Sequence, residues 1–157
     1  MTVDRWALSL NSTVVVDVQI TTEWASRLIE GNALEEDLTV SQSRLDALDL
    51  LPGWDDDWVV LERELLRQRM LHGLDALSRR LLSAGRYADA IEAAMLAISA
   101  EPLRESAQRA LIEAHMAQGN VVEARRGYYA YHRLTRLELG VNPSSDLLSL
   151  LQVPLPP

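Results

Sequence analysis

Ala84-Gly85-Arg86-Tyr87-Ala88-Asp89-Ala90 and Gln118-Gly119-Asn120-Val121-Val122-Glu123-Ala124 are the two stretches whose comparison decides the fold. A shift of 34 residues lays one on the other, and the same shift puts Leu77 on Leu111. In each stretch a glycine can take the positive φ that reverses the chain in few residues. Ala90 and Ala124, five residues on, are small enough to let two helix backbones approach. Self-similarity at a fixed period marks an array of stacked supersecondary units, each too small to bury its own apolar face.

Working outward, almost everything after Pro52 has helical periodicity. Asp55 to Ser83 carries Val59, Leu65 or Leu66, Leu74, Leu77, Leu81 and Leu82, as one long helix or as two divided at Gly73. Helices are predicted over Tyr87–Ala100, Pro102–Gln118 and Val121–Leu139, closed by Glu101-Pro102, Gly119 and Gly140. Pro143 and Ser144 open a last short helix to Leu151, and the proline-rich 153–157 forms a disordered tail. Upstream, Trp6–Leu10 alternates, Asn11-Ser12 offers a turn, and Thr13–Val18 is β-branched, so a short N-terminal β-hairpin is predicted. A helix over Thr21–Glu30 would place Ile20, Trp24 and Leu28 on one side, with Gly31 ending it; another is predicted over Ser41–Leu48.

The period of 34 is that of the tetratricopeptide repeat, two antiparallel helices per unit. Tyr87, Ala90, Ala97 and Pro102 fill its positions in the first unit; in the second, Tyr128 fits, while Tyr131 and Arg136 replace the second small residue and the proline. Two units are few for a solenoid, so flanking helices must cap them. The predicted fold class is all-α: a tetratricopeptide-like helical repeat stack with capping helices, preceded by the hairpin.

Composition narrows the function. The 157 residues carry a net charge of −8, contain no Cys, and draw every basic side chain from Arg, with no Lys. Disulfides, thiol nucleophiles and cysteine metal sites are excluded. Residues 1–58 have a net charge of −9 and residues 59–157 one of +1, the shift falling near Pro52. So acidic a chain is a poor unaided ligand for DNA phosphates. No apolar run is long enough for a membrane span and no secretion signal opens the chain, so a cytoplasmic location is expected.

Three strings carry a more specific likeness: Gly53-Trp54-Asp55-Asp56-Asp57-Trp58-Val59, Glu101-Pro102-Leu103-Arg104-Glu105, and Glu138-Leu139-Gly140-Val141-Asn142-Pro143-Ser144. With them, residues 33–151 resemble the bacterial transcriptional activator domain, which follows a winged helix-turn-helix in Streptomyces antibiotic regulatory protein (SARP) family regulators of secondary metabolism. The resemblance implies residues 1–32 as a remnant of the winged-helix junction and 33–152 as the activator domain. It implies dimerisation, interdomain signalling or RNA polymerase contact as the activity. With only Arg5, Arg27 and Arg44 before Pro52, the DNA-binding domain is expected to be absent from this chain, whether as a fragment or by loss. The partner is then a protein: polymerase, the regulator's own DNA-binding domain, or a second copy in a possible homodimer. A free-standing tetratricopeptide adaptor, holding a peptide in its concave groove, is the competing reading.

Candidate site residues follow from the repeat register. The concave face should present His72, Asp75 and Arg79 from the first unit, and Ser106, Arg109 and Glu113 from the second. Arg79 and Arg109 could clamp a carboxylate, or the face could be a solvated one with an Arg109–Glu113 pair. Trp54 and Trp58 share a side and either anchor a partner or pack on the stack; Arg125, Arg126, Arg133 and Arg136 form a second basic cluster. Asp55, Asp56 and Asp57 read as a helix N-terminus and not as a cation site. His72, His115 and His132 lack metal-ligand spacing, and no nucleophile elbow or phosphate loop occurs. No enzyme activity, cofactor or metal is expected.

Overall fold

The computed structural model describes residues 2–4, 7–9, 11, 14–40 and 50–152. They are predominantly helical, and the chain divides into two compact units, Met1–Met70 and Leu71–Pro157. The predicted helix over Ser41–Leu48 lies outside the described residues, as does the tail at 153–157. Among the described residues no helix is long and apolar enough to cross a membrane.

In the first unit, strands β1 (Thr2–Asp4) and β2 (Ala7–Ser9) pair antiparallel, with Val3 opposite Leu8. Over the described residues 14–18, the strand predicted for Thr13–Val18 does not form. Val14–Val16 make no regular element, and helix α1 (Asp17–Glu30) begins where strand was expected. Burial overrides the β-branched run: Thr21, Trp24, Ala25 and Leu28 recur at helical spacing and are all buried, and Asp17 places a carboxylate in the first turn. Ile20, expected on the buried side, is 43% exposed.

Asp37, in a 3-10 turn at Glu35–Asp37, organises this unit. Its carboxylate is fully buried and receives both arms of Arg27 at 2.8 and 2.7 Å, plus the Leu34 N–H at 3.0 Å. Its carbonyl accepts the Trp24 indole N–H at 2.9 Å. Hydrogen bonding to Asp37 holds the Arg27 guanidinium above its ordinary pKa. Further on, Arg63 donates to the carbonyls of Leu50, Leu51 and Trp54, gathering the turn where Leu51 and Gly53 take positive φ of 50° and 79°.

Helix α2 (Asp57–Ser83) is one helix, with Gly73 buried inside it. Its residues from Leu71 onward belong to the second unit, with α3 (Tyr87–Ala100), α4 (Glu105–Ala117), α5 (Val121–Glu138), α6 (Ser145–Ser149) and a 3-10 turn at Leu150–Gln152. Helix α4 packs on both α3 and α5. Three helix ends share one cap: Gly31, Gly85 and Gly119 take φ of 80°, 73° and 83°. In each, the residue after glycine bonds five residues back: Asn32 to Arg27, Arg86 to Leu81, Asn120 to His115.

The two stretches related by 34 residues are thus structurally alike. α3 starts two residues after Gly85 and α5 two after Gly119, and Ala90 and Ala124 are both fully buried. Ala93, Ala94 and Ala97 extend the small-residue side of α3, and the Ser78 hydroxyl donates to the Ala90 carbonyl at 2.9 Å. At the far end Ile112, Ala124, Tyr128, Tyr131 and Leu147 form a core closed by Met116, Leu150 and Leu151.

Replacing Asp37 by Ala removes the acceptor of a charge-assisted bidentate pair and leaves its donors unmatched. A loss of about 2–3 kcal/mol of stability is expected from urea unfolding of Asp37→Ala.

Candidate functional site

The six residues expected on the concave face separate into two groups. Asp75 is 5% exposed and is not available to a partner. Its Oδ2 accepts Arg104 Nε at 3.1 Å, Arg104 Nη2 at 2.9 Å and the Ser106 hydroxyl at 2.7 Å. Its Oδ1 is buried without a hydrogen-bond partner. Arg104 is the N-cap residue of α4, so this ion pair ties α2 to the start of α4. Asp75 and Ser106 are brought together, but as internal bracing.

Arg79, Arg109 and Glu113 form the second group. Arg79 is exposed, and Arg109 and Glu113 are half-buried. Burial pushes the Glu113 carboxyl above its ordinary pKa, opposed by the charges of Arg109 and then Arg79. Both guanidinium groups therefore act on one carboxyl from two helices. The expected Arg109–Glu113 pair is replaced by a loose contact of Arg109 with Glu105 at 3.9 Å. His72 is exposed on α2 and joins neither group.

Trp54 and Trp58 stand 53% and 55% exposed, so they do not pack as core. Asp55, Asp56 and Asp57 are exposed where α2 begins, where their charge suits the helix dipole. Arg125, Arg133 and Arg136 are exposed on α5, while Arg126 pairs with Glu123 at 2.7 Å.

Arg104 was not among the residues singled out by repeat position, and it is the one that neutralises Asp75. Glu105, its neighbour, accepts the Ser144 N–H at 3.0 Å and a very short hydrogen bond from the Ser144 hydroxyl. Ser144 in turn caps α6 by accepting the Leu147 N–H at 3.3 Å. Glu101-Pro102-Leu103-Arg104-Glu105 and Glu138-Leu139-Gly140-Val141-Asn142-Pro143-Ser144 therefore meet in space through Glu105 and Ser144. Their presence as intact strings was the available signal; the pairing, across 39 residues, was not.

Residues 25–153 match the bacterial transcriptional activator domain family. The chain belongs to that family. It is part of a transcriptional activator, and the activator domain begins, by this match, inside α1. Searches of curated proteins and of solved structures return no match.

Three outcomes follow for the activator domain. Asp75→Ala leaves Arg104, only 15% exposed, without its counter-charge, and about 3 kcal/mol of stability should be lost in chemical unfolding. Asp75→Ala/Arg104→Ala should lose less than the sum of the single variants. Glu113→Gln should behave oppositely. A carboxyl whose folded pKa is raised detracts from stability once pH climbs above its unfolded value. The Gln variant should therefore be at least as stable as the parent at pH 7, and the difference should vanish below about pH 4, where both are neutral.

Proposed function

We propose that this activator domain is the protein–protein interaction module of a SARP-type regulator of secondary metabolism, serving dimerisation, interdomain signalling or RNA polymerase contact. Family membership over residues 25–153 carries this reading. In it, α2 from Leu71 with α3, and α4 with α5, are two tetratricopeptide-like units. The recurrence of glycine cap, helix start and buried alanine after 34 residues supports that assignment. The face shared by α2 and α4 receives the partner, with Arg79 and Arg109 meeting a carboxylate. Asp75 and Ser106 hold the two helices in register beneath it.

The module works in the cytoplasm, without enzyme activity, cofactor or metal, and DNA is read by another domain. Net charge supports the last point: −8 over the chain works against a polyanion. A peptide-binding adaptor unconnected with transcription would use the same arginines, and the family match favours the activator reading over it.

The test is a reporter assay in which the chain is fused to a heterologous DNA-binding domain. The parent should activate. Arg79→Ala/Arg109→Ala should lower activation several-fold with an unchanged circular dichroism spectrum, because among the described residues neither guanidinium makes a close ion pair. Full activation by the double variant would remove both residues from the site. No activation by the parent would overturn RNA polymerase contact as the module's role.

A further inference from the structure

Helix α5 carries Gly127 in its interior, where a glycine weakens a helix relative to alanine. Neither backbone nor packing requires it. Its φ is not positive, and a Cβ built there would meet only Leu111 Cδ2, at an ordinary 3.8 Å. The missing side chain leaves open space instead. Gly127 lines a cleft of about 650 Å³ that α3, α4 and α5 form within the second unit.

Met95, Ile98, Leu111 and Leu134 make the walls of this cleft apolar, and none of the four is buried. Most polar groups along it are already engaged. The Ser99 hydroxyl donates to the Leu96 carbonyl at 2.8 Å, and that of Tyr131 to the Leu103 carbonyl. Arg126 and Glu123 pair at 2.7 Å, so the two charges cancel. His115 Nδ1 is sealed from solvent, out of reach of a ligand in the cleft. Gln108 differs. The residue is 6% exposed, and its Nε2 donates only a long bond of 3.4 Å to the Pro102 carbonyl. Its Oε1 receives no hydrogen bond among the described residues and, unlike His115 Nδ1, is not sealed. A buried amide with a free acceptor is half satisfied, and the cleft is where a donor can reach it.

We propose that the α3–α4–α5 cleft binds a neutral, largely apolar small molecule that donates one hydrogen bond, from a hydroxyl or N–H, to Gln108 Oε1. Its size is that of small-molecule pockets, roughly 300–1,000 Å³, which join apolar walls to a few fixed polar groups. The mutually neutralised Arg126 and Glu123 give an ion little to gain. A protein segment would bring a row of backbone groups in need of partners, and Gln108 supplies a single free acceptor. Helical geometry places Arg109 and Glu113 on the other side of α4 from Leu111 and His115. The site is therefore separate from the proposed partner face, and it stands or falls independently of the interaction-module reading.

N-phenyl-1-naphthylamine is a neutral apolar fluorophore with one N–H, and 1-benzylnaphthalene has its shape with a methylene in that place. Titrating the 157-residue chain into a trace of the amine, read by its emission, should show saturable binding with a Kd of about 10 µM. The sulfonated analogue, 8-anilinonaphthalene-1-sulfonate, should bind at least about tenfold more weakly. Gly127→Leu and Ala130→Trp fill the cleft, one at a helical glycine and one at an exposed position. Each should weaken binding at least about tenfold with unchanged circular dichroism. Gln108→Met keeps the volume and removes the amide. It should weaken the amine about fivefold and leave 1-benzylnaphthalene, measured by displacement, within about twofold. No saturable binding up to about 100 µM chain overturns the proposal. So does binding indifferent to both filling variants, which is adsorption elsewhere, as on the exposed Trp54 and Trp58. Equal affinity for the sulfonate, or equal loss of both neutral ligands in Gln108→Met, overturns it too. The filling variants decide the site even if Gln108→Met fails to fold.

Discussion

The carboxylate of Asp75 binds α2 to the first residue before α4, and the second unit is arranged around that link. Arg104 approaches it from the N-cap position, so the direction in which α4 leaves its turn is set by a buried ion pair. The next residue, Glu105, takes Ser144 and so fixes where α6 begins. Tyr131 adds a third tie, its hydroxyl donating to the Leu103 carbonyl at 3.1 Å. Four consecutive residues, from Leu103 to Ser106, thus serve α2, α5 and α6 at once. Such a pair contributes little net stability over an apolar contact of the same shape, but it tolerates only one geometry, and geometry is what a recognition face requires.

Charge is distributed to the same end. The acidic residues of the first unit are not uniformly free: Asp37 is consumed by Arg27, whereas Asp55, Asp56 and Asp57 remain at the surface. Among the arginines, Arg27 and Arg104 are committed to buried carboxylates, while those of α5 are mostly left to solvent. The net charge of −8 conceals this division into structural and unspent charge.

What was legible in the sequence was whatever depends on neighbours along the chain. Glycine caps, proline breaks and alanine spacing located α3 and α5 to within a residue or so, because those signals act over one helical turn. Readings that depended on distant partners fared differently. Asp75 has the spacing of a groove residue, and only the approach of Arg104, 29 positions away, takes it out of the groove. Val14–Val16 have strand composition, but the burial of Trp24 and Leu28 commits the following residues to helix. Trp54 and Trp58 have the composition of core and stand in solvent.

The repeated glycine cap constrains the chain's length as well as its course. Between Ser83 and Tyr87, and between Ala117 and Val121, three residues carry the chain from one helix to the next, leaving no slack. One residue inserted there would turn the following helix by about 100° about its axis and carry Ala90 or Ala124 off its neighbour. Single-residue length changes are therefore far more disruptive at these links than substitutions of equal size. The spacing of 34 is in this sense a mechanical tolerance, enforced by helix phase and not by any particular side chain at the surface.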